Sequence, residues 1–321
     1  MRRPCTREMT ASEIVPGVYV VKGKFAGEFG FISSYIVADG GEALIIDPGT
    51  AGDPGEELLE ALDRMGLKKN ALVGVLCTHG HPDHVGGAYR LKRATGARVM
   101  IHGADAGILE NPQLFVNERL SLDAAGRFAM RLERGPLRVN YRGMKPDSLL
   151  VDGQSIQVGS VELRTIHTGG HSAGHCAFFD SDRKILFSGD EVNNFPNDPR
   201  KFYVDLSGSL SAKLSALEQL STLGAEYLLP AHDIAHITED VDLQFEEAKD
   251  SVVQFQDVII GCVRARGEAD LRQIELDIQE ARSLPYPTSL EALLPTTIQA
   301  ALTNLEKAGL LRSERSVWKP I

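Results

Sequence analysis

Cysteine is scarce in this chain, and its few cysteines form no pattern. The 321 residues include four, which lie far apart and make no Cys-x-x-Cys pair: Cys5, Cys77, Cys176 and Cys262. A disulfide framework needs an ordered set of cysteines, and the sequence offers none. Scattered thiols are typical of the reducing cytoplasm, so we expect a cytoplasmic protein.

Long apolar segments are absent as well. No run approaches the about 20 residues that a membrane span needs. Residues 1–12 carry three arginines but no apolar stretch of secretory length. The formal net charge is -10. Because binding to duplex nucleic acid is driven by neutralisation of phosphates, this acidity argues against nucleic acid as a partner. We therefore expect neither a membrane segment nor a nucleic-acid ligand.

Histidine, in contrast, is concentrated in one short segment. Residues 78–84 read Thr-His-Gly-His-Pro-Asp-His and follow the apolar run Leu72–Cys77, which predicts a buried strand. Side chains at i and i+2 of an extended segment point the same way, so His79 and His81 can meet at one point. Asp83 and His84 follow at the turn. Imidazole nitrogens and a carboxylate form a ligand set suited to zinc, iron or manganese.

This His-x-His-x-Asp-His segment after a strand resembles the metallo-β-lactamase superfamily. Three later motifs that the superfamily implies occur in the expected order. His171 stands in Thr-Gly-Gly-His-Ser-Ala-Gly-His, Asp190 in Phe-Ser-Gly-Asp, and His232 in Leu-Pro-Ala-His-Asp. Four spaced motifs in one order are far more specific than any one of them. The resemblance covers roughly residues 14 to 235.

The resemblance implies two divalent metal ions, zinc in the first place, with iron or manganese as alternatives. It implies three ligands for each metal and one carboxylate for both: His79, His81 and His171 for one metal, Asp83, His84 and His232 for the other, and Asp190 as the bridge. It further implies that a hydroxide bridging the metals attacks the substrate, because divalent metals lower the pKa of bound water. Asp83 is then also catalytic, since its carboxylate can orient that hydroxide.

Two departures narrow the function within the superfamily. One branch of zinc β-lactamases has Cys where this chain has Asp190, and the flavin-coupled oxygen reductases have Glu where it has His81. The resemblance therefore points to a hydrolase that attacks the carbonyl of a small-molecule ester, thioester or lactone, anionic substrates included. Two alternatives stay open. One is a persulfide dioxygenase-like oxidoreductase with a single iron, and the other is a phosphodiesterase or nuclease that uses the C-terminal tail.

The implied fold is α/β, an αββα sandwich of two packed sheets with helices outside. We assign residues 1–240 to a catalytic domain, with an insertion over about residues 103–150, and residues 241–321 to a helical, winged-helix-like region. The pattern from Leu206 to Leu223 predicts a helix that covers the sandwich. Because the tail has few basic residues, we expect it to serve packing or to form a homodimer rather than to bind nucleic acid.

Several residues near the motifs have two interpretations. Asp47 is either a hydrogen-bond acceptor for the ligand imidazoles or a turn residue. Tyr203 and residues 193–195 either line the substrate cleft or form a surface loop. We expect four other histidines to lie outside the ligand set: His102, His167, His175 and His236. Of these, His167 is the best candidate to support a ligand.

The insertion contains a periodic series of basic residues. Six recur at intervals of three or four, with Glu133 the only acid among them: Arg127, Arg131, Arg134, Arg138, Arg142 and Lys145. A helix would place them on one face, although Gly135-Pro136 would interrupt it. This face is either simply solvated or a cationic lid that selects an anionic substrate.

Overall fold

Two β-sheets packed face to face form the centre of the molecule. A computed structural model describes residues 11–23, 32–52, 54–122, 124, 141–192, 202–232, 236–281 and 293–321. Within these ranges the first sheet has seven strands in chain order: β1 (Ala11–Val15), β2 (Val18–Lys22), β3 (Ser33–Asp39), β4 (Glu42–Ile46), β5 (Leu72–Leu76), β6 (Arg98–His102) and β7 (Ser148–Leu150).

The first sheet changes from antiparallel to parallel at β4. Strands β1 to β4 form an antiparallel meander, in which Gly40 and Gly41 turn β3 into β4 with φ of 58° and 84°. Side chains rarely tolerate such angles, so glycine suits both positions. Strands β4 to β7 are parallel. Helices lie in these connections: α1 (Glu57–Arg64), α2 (Pro82–Val85), α3 (Ala88–Thr95) and α4 (Gly103–Glu110).

The second sheet is formed by later residues, in the order β12-β11-β10-β9-β8. Its strands are β8 (Ser155–Val158), β9 (Val161–His167), β10 (Cys176–Asp180), β11 (Ile185–Gly189) and β12 (Tyr227–Pro230). Strands β8 to β11 are antiparallel, and β12 joins β11 in parallel after helix α5 (Leu210–Ser221). The carboxyl ends of β11 and β12 therefore lie side by side.

Apolar side chains fill the space between the two sheets. Tyr35 and Leu76 of the first sheet face Phe178 and Phe187 of the second, and the rings of Tyr35 and Phe187 meet edge to face at 5.4 Å. A second apolar layer joins α1 and α3 to the outer face of the first sheet. A third joins helices to the outer face of the second sheet. The order of layers is helix, sheet, sheet, helix, which confirms the predicted αββα sandwich.

The C-terminal region packs on the second sheet through the third apolar layer, on the outer face of that sheet. Its elements are α6 (Val241–Arg266), β13 (Ala269–Asp270), α7 (Leu271–Ala281), α8 (Leu294–Lys307), β14 (Leu311–Glu314) and β15 (Val317–Pro320). The three strands form a small sheet in the order β13-β15-β14. Phe245 of α6 and Ile298 of α8 share one buried cluster with Leu186 of the second sheet. Across the described ranges, no helix combines the length and apolar character that a bilayer crossing requires.

Two local predictions differ from the structure. The covering helix begins at Leu210 rather than Leu206, because Asp205 accepts hydrogen bonds from the backbone N–H groups of Ser207 and Gly208 and holds a turn there. In the basic series, residues 141–147 are not helical. Arg142 lies over the ring of Tyr89, and Lys145 is exposed. The four other basic residues of the series lie outside the described residues.

Shortening a buried side chain of α8 should destabilise the whole chain. Ile298 is fully buried in the cluster that joins α8 to the second sheet. We expect Ile298→Ala to cost about 2–5 kcal/mol. Far-ultraviolet circular dichroism, which follows all helices, and the fluorescence of Trp318, the single tryptophan, should report one transition at a lowered temperature.

Thr303 provides the control, because it is exposed on the same helix. Thr303→Ala should change stability by no more than about 0.5 kcal/mol. If the fluorescence transition of Ile298→Ala moved while the main circular dichroism transition stayed in place, the C-terminal region would be an independent folding unit.

Candidate metal centre

The loop after β5 brings four polar side chains to the carboxyl end of that strand. His79 and His81 follow β5, and the short helix α2 carries Asp83 and His84. Pro82 occupies its first position, where its fixed φ suits a helix start and its missing N–H costs nothing. His79 and His84 are fully buried, whereas the side chain of Asp83 is 39% exposed. Asp83 is therefore the one of these four side chains that is accessible to solvent.

Three more side chains come from strand ends of the second sheet. His171 lies in the connection from β9 to β10, Asp190 directly follows β11, and His232 follows β12. All three are buried. With the side chains of the β5 loop they form one group of seven, which we call the His/Asp cluster: His79, His81, Asp83, His84, His171, Asp190 and His232. The structure thus brings together every side chain that the motifs singled out.

One part of the His/Asp cluster, the first group, consists of His79, His81 and His171. Their ligand atoms lie within 4.8 Å of one another. Nδ1 of His81 and Nε2 of His171 are 3.0 Å apart, and Nε2 of His171 is 3.5 Å from Oδ2 of Asp190. Three ring nitrogens therefore point at one position, with the Asp190 carboxylate beside it.

The other part, the second group, consists of Asp83, His84 and His232. Nε2 of His84 lies 3.2 Å from Nε2 of His232, which in turn lies 3.5 Å from Oδ2 of Asp83. Asp190 is shared between the groups, since its Oδ1 is 3.5 Å from Nε2 of His84. The carboxylate of Asp190 therefore stands between the two groups, with oxygens toward each.

The His/Asp cluster has the donor chemistry that divalent metal ions require. Nε2 of His79 and Oδ1 of Asp190 are buried and have no hydrogen-bond partner among the described residues. Buried polar atoms without partners cost free energy, and proteins seldom retain them without a reason. A cation bound between the imidazoles and carboxylates would satisfy both atoms. The residues present therefore fit divalent metals with nitrogen and oxygen ligands.

Protonation in the His/Asp cluster follows from burial and mutual contact. Burial lowers the pKa of His84, but nearby carboxylates, Asp190 foremost, outweigh burial and raise that pKa to about 10. Burial and the neighbouring imidazoles hold the pKa of His79 well below its usual value. Burial would raise the pKa of Asp190, but the surrounding imidazoles keep it well below its usual value. His79 is therefore neutral and Asp190 ionised at neutral pH, as metal binding requires.

Asp47 supports the cluster from outside, which answers the question that the sequence left open. Its Oδ2 lies 2.9 Å from Nδ1 of His84 and accepts from Oγ1 of Thr78 at 2.8 Å, and its Oδ1 accepts from the Thr78 backbone N–H. Oγ1 of Thr78 also lies 2.9 Å from Nδ1 of His79. Asp47 holds this place with a φ of 52°, an angle that costs free energy in residues other than glycine.

A second carboxylate, Asp205, supports the first group, and the sequence analysis missed it. Oδ2 of Asp205 lies 2.9 Å from Nε2 of His81, so Nδ1 of that ring faces the cluster. The buried Arg119 side chain lies behind it, 3.8 Å from Asp205 and 3.0 Å from Asp105. An aspartate in the segment Asp-Leu-Ser-Gly indicates a turn. Its partner His81 is 124 residues away, and the sequence carries no signal for that pairing.

His175 positions the backbone of Asp190. The Asp190 N–H donates to Nε2 of His175 at 2.9 Å, so the ring proton is on Nδ1, which donates to Oγ1 of Thr168 at 2.7 Å. Gly189 leaves room for this contact, because a Cβ there would lie 2.5 Å from Nε2 of His175. His175 is thus a supporting residue outside the seven, as predicted.

The other predicted positions have different surroundings. His167 contacts the carbonyl of Ala173 and stacks on His102 at 4.0 Å, and neither of these contacts within the described residues is with one of the seven side chains. His236 is exposed. Tyr203 is buried, with its ring 5.8 Å from that of His81. Residues 193–195 lie outside the described residues.

A buried ion pair that the sequence analysis also missed lies behind Asp190. Nζ of Lys213 is 3.0 Å from Oε2 of Glu191 and donates to the carbonyls of Asp190 and Glu191. Oε1 of Glu191 accepts from the backbone N–H groups of Gly170 and His171. Burial would raise the pKa of Glu191, but the nearby charge of Lys213 outweighs burial, and the pKa is lowered to about 2. This ion pair therefore holds the backbone at two cluster residues, Asp190 and His171.

Comparison with known proteins identifies the family. The sequence model of the metallo-beta-lactamase superfamily matches residues 27–232, more than half of the chain. This chain belongs to the metallo-beta-lactamase superfamily. Members of the superfamily are mostly metal-dependent hydrolases. The matched range includes all seven residues of the His/Asp cluster.

Curated relatives within the metallo-beta-lactamase superfamily are similar over part of their length. An uncharacterized protein of Aquifex aeolicus (strain VF5) is 32% identical over 161 residues, 50% of this chain and 64% of that protein. The hydroxyacylglutathione hydrolase GloC of Haemophilus influenzae is 30% identical over 57% of this chain and 79% of its own length. A hydroxyacylglutathione hydrolase of Methylococcus capsulatus is 32% identical over 58% of this chain and 55% of its own length. The chain thus spans less than two thirds of the Aquifex and Methylococcus relatives.

Solved structures of the metallo-beta-lactamase superfamily match over nearly the whole chain. A family protein from Thermus thermophilus has a TM-score of 0.72 and 22% identity, and the match covers 96% of this chain and 100% of that one. A beta-lactamase domain protein from Burkholderia ambifaria has a TM-score of 0.69 and 21% identity, over 97% and 94%. At these identities the likeness concerns the fold. It extends over the C-terminal region as well.

Removing one charge of the Glu191–Lys213 pair should destabilise the protein strongly. Glu191→Gln keeps an oxygen for the two backbone N–H groups but leaves the Lys213 ammonium buried without its counter-charge. We expect a loss of about 3–5 kcal/mol, measured by urea unfolding. In Glu191→Gln with Lys213→Met, neither charge of the pair remains, so much of that loss should be recovered. An equal loss in the double variant would show that the pair itself is not the cause.

The same pair gives a pH dependence with a definite sign. Because the pKa of Glu191 is about 2 in the folded chain against an ordinary value of 4.5, the unfolded chain binds more protons between these values. Stability from this carboxylate is present above pH 4.5 and is lost as the pH falls toward about 2. Unfolding of Glu191→Gln, measured over this range, should show a smaller acid dependence than that of the wild type.

Proposed function

We propose that this protein is a dinuclear metal-dependent hydrolase of carbonyl esters, with thioesters as the preferred class. The observation that carries the proposal is the geometry of Asp190, whose carboxylate stands between two groups of three ligand side chains. One metal would be held by His79, His81 and His171, the other by Asp83, His84 and His232. We propose zinc for both positions, because imidazole and carboxylate suit it.

The residues of the cluster would have distinct roles in hydrolysis. Divalent metals, when bound, lower the pKa of water toward about 7 for zinc and so supply hydroxide at neutral pH. Asp190 would stay ionised between the two groups and keep them at a fixed separation. Asp83 would accept a hydrogen bond from the attacking water and orient it, because its carboxylate is the exposed one, 39% against 4% for Asp190. No separate general base is required.

The substrate class rests on the relatives and on one residue of the cluster. Relatives that share 30–32% identity with this chain include hydroxyacylglutathione hydrolases, whose names state a thioester substrate. Asp190 is consistent with them, because the family resemblance links aspartate rather than cysteine at this position to hydrolases of esters, thioesters and lactones. We therefore propose thioester hydrolysis, tested with a panel of thioesters, lactones, phosphodiesters and β-lactams.

Replacing His81 of the first group, or Asp190, which the two groups share, should abolish turnover and leave the fold intact. For His81→Ala and Asp190→Ala we expect losses greater than the about 10- to 100-fold that is typical of supporting residues, with reduced metal content. Circular dichroism should remain close to that of the wild type. His236→Ala is the matched control, since this histidine is exposed and does not belong to the seven cluster residues. Activity retained in either cluster variant would contradict the proposal.

Metal binding should release protons and tighten as the pH rises. The pKa of His84 is about 10, so its imidazole carries a proton at neutral pH in the metal-free chain. A metal ligand must be neutral, so binding displaces this proton. Zinc titration of chelator-treated protein at about pH 6 and about pH 8, in buffers of different ionisation enthalpy, should show proton release and higher affinity at the higher pH. Binding without proton release would show that His84 carries no proton in the metal-free chain.

A further inference from the structure

The segment 202–209, which we call the support loop, lies between the His/Asp cluster and helix α8. It follows the residues after β11 and leads into α5, whose N-cap is Ser209. Phe202, Tyr203, Val204 and Asp205 of this loop are buried. The loop therefore contacts the cluster on one side and the C-terminal region on the other.

On the cluster side, the support loop holds two histidines of the first group. The carbonyl of Tyr203 lies 2.7 Å from Nδ1 of His171, and Oδ2 of Asp205 lies 2.9 Å from Nε2 of His81. The Asp205 N–H also donates to the carbonyl of His171 at 3.0 Å. These contacts fix which ring nitrogen of each histidine faces the cluster. Any shift of the loop would move both imidazoles.

On the other side, two polar side chains of α8 hold the support loop. Oδ1 of Asn304 accepts from Oγ of Ser209 at 2.7 Å, and the Ser209 N–H donates to the carbonyl of Gly170, next to His171. Oγ1 of Thr297 lies 3.5 Å from the backbone N and 3.4 Å from the carbonyl O of Val204. Thr297 thus contacts Val204, which lies between Tyr203 and Asp205. Asn304 contacts Ser209, whose backbone N–H is bonded to the residue before His171.

These contacts are unusual for the buried face of a helix whose buried residues are mostly apolar. Thr297 is fully buried and Asn304 is 8% exposed, among neighbours such as Ile298 and Leu305. Polar groups in such a position cost free energy unless they are hydrogen-bonded, and apolar side chains of similar size would pack there without that cost. Their hydrogen bonds fix the register of α8 against the support loop more closely than apolar contact alone would.

We propose that α8 is a positioning element of the metal centre, acting through Thr297 and Asn304 on the support loop and through that loop on His81 and His171. The inference rests on the proposed metal-binding role of the first group. It assigns the C-terminal region a part in the orientation of the ligands of one metal, the one bound by His79, His81 and His171. The hydrogen bonds of Tyr203 and Asp205 in the support loop go to His171 and His81, both of which belong to that group.

The test compares the same substitution at two positions of α8. Thr297→Val removes the hydroxyl that faces the support loop, Thr297→Ser retains it, and Thr303→Val makes the identical change at an exposed position. Asn304→Leu removes the second contact. Cobalt(II) spectra report the geometry of the bound metal. Competition with a chromophoric chelator reports the affinity of each of the two sites.

We expect Thr297→Val and Asn304→Leu to weaken one of the two metal sites by about tenfold and to alter the cobalt spectrum. Thr297→Ser should restore wild-type behaviour, and Thr303→Val should match it throughout. Equal weakening of both sites, or a spectrum unchanged in Thr297→Val and Asn304→Leu, would overturn the inference.

A measurement without metal separates this inference from the proposed function. In the metal-free chain, the ring ¹⁵N signals of His81 and His171 report their hydrogen bonds to Asp205 and to the Tyr203 carbonyl. These signals should shift in Thr297→Val and Asn304→Leu but not in Thr303→Val. If the wild-type protein bound no metal while the signals still shifted in these two variants, the proposed function would fail. The positioning of His81 and His171 by α8 would then still hold. If metal bound but the signals stayed in place, that positioning would fail.

Discussion

Asp190 must stay ionised while imidazoles enclose it, and much of the surrounding structure serves this requirement. Its side chain is 4% exposed, and its oxygens lie 3.5 Å from nitrogens of His84, His171 and His232. A buried carboxylate costs several kcal/mol unless charges and hydrogen bonds compensate it. Its backbone N–H is held by His175, and its carbonyl accepts from Lys213. The carboxylate is therefore oriented from the backbone and stabilised by the rings.

Two outer carboxylates orient one histidine in each group. Asp47 contacts Nδ1 of His84, and Asp205 contacts Nε2 of His81, both at 2.9 Å. Each carboxylate also accepts a backbone N–H through its other oxygen, from Thr78 and from Ser207 respectively. A ring nitrogen that donates to a carboxylate leaves the opposite nitrogen free to bind a metal. In both groups, therefore, an aspartate outside the cluster orients one histidine. The two aspartates come from different segments of the chain.

The sequence predicts that the seven cluster residues lie together, because each belongs to a short motif at the end of a strand. The sandwich is implied by the family resemblance that these motifs carry. The residues that support the cluster are not predictable in this way. Asp205 meets a histidine 124 residues earlier, and Asn304 meets a serine 95 residues earlier. Such pairs depend on how the sheets and helices pack, and neither a motif nor a period records that packing.

The position of the C-terminal region follows from the same packing. The support loop must be buried, because its carbonyl and carboxylate contact buried imidazoles. A buried loop needs partners for its own polar groups and an apolar cover. Helix α8 provides both, with Thr297 and Asn304 toward the loop and Ile298 in the apolar layer of the second sheet. The region after residue 240 therefore completes the surroundings of the His/Asp cluster and shares an apolar layer with the second sheet.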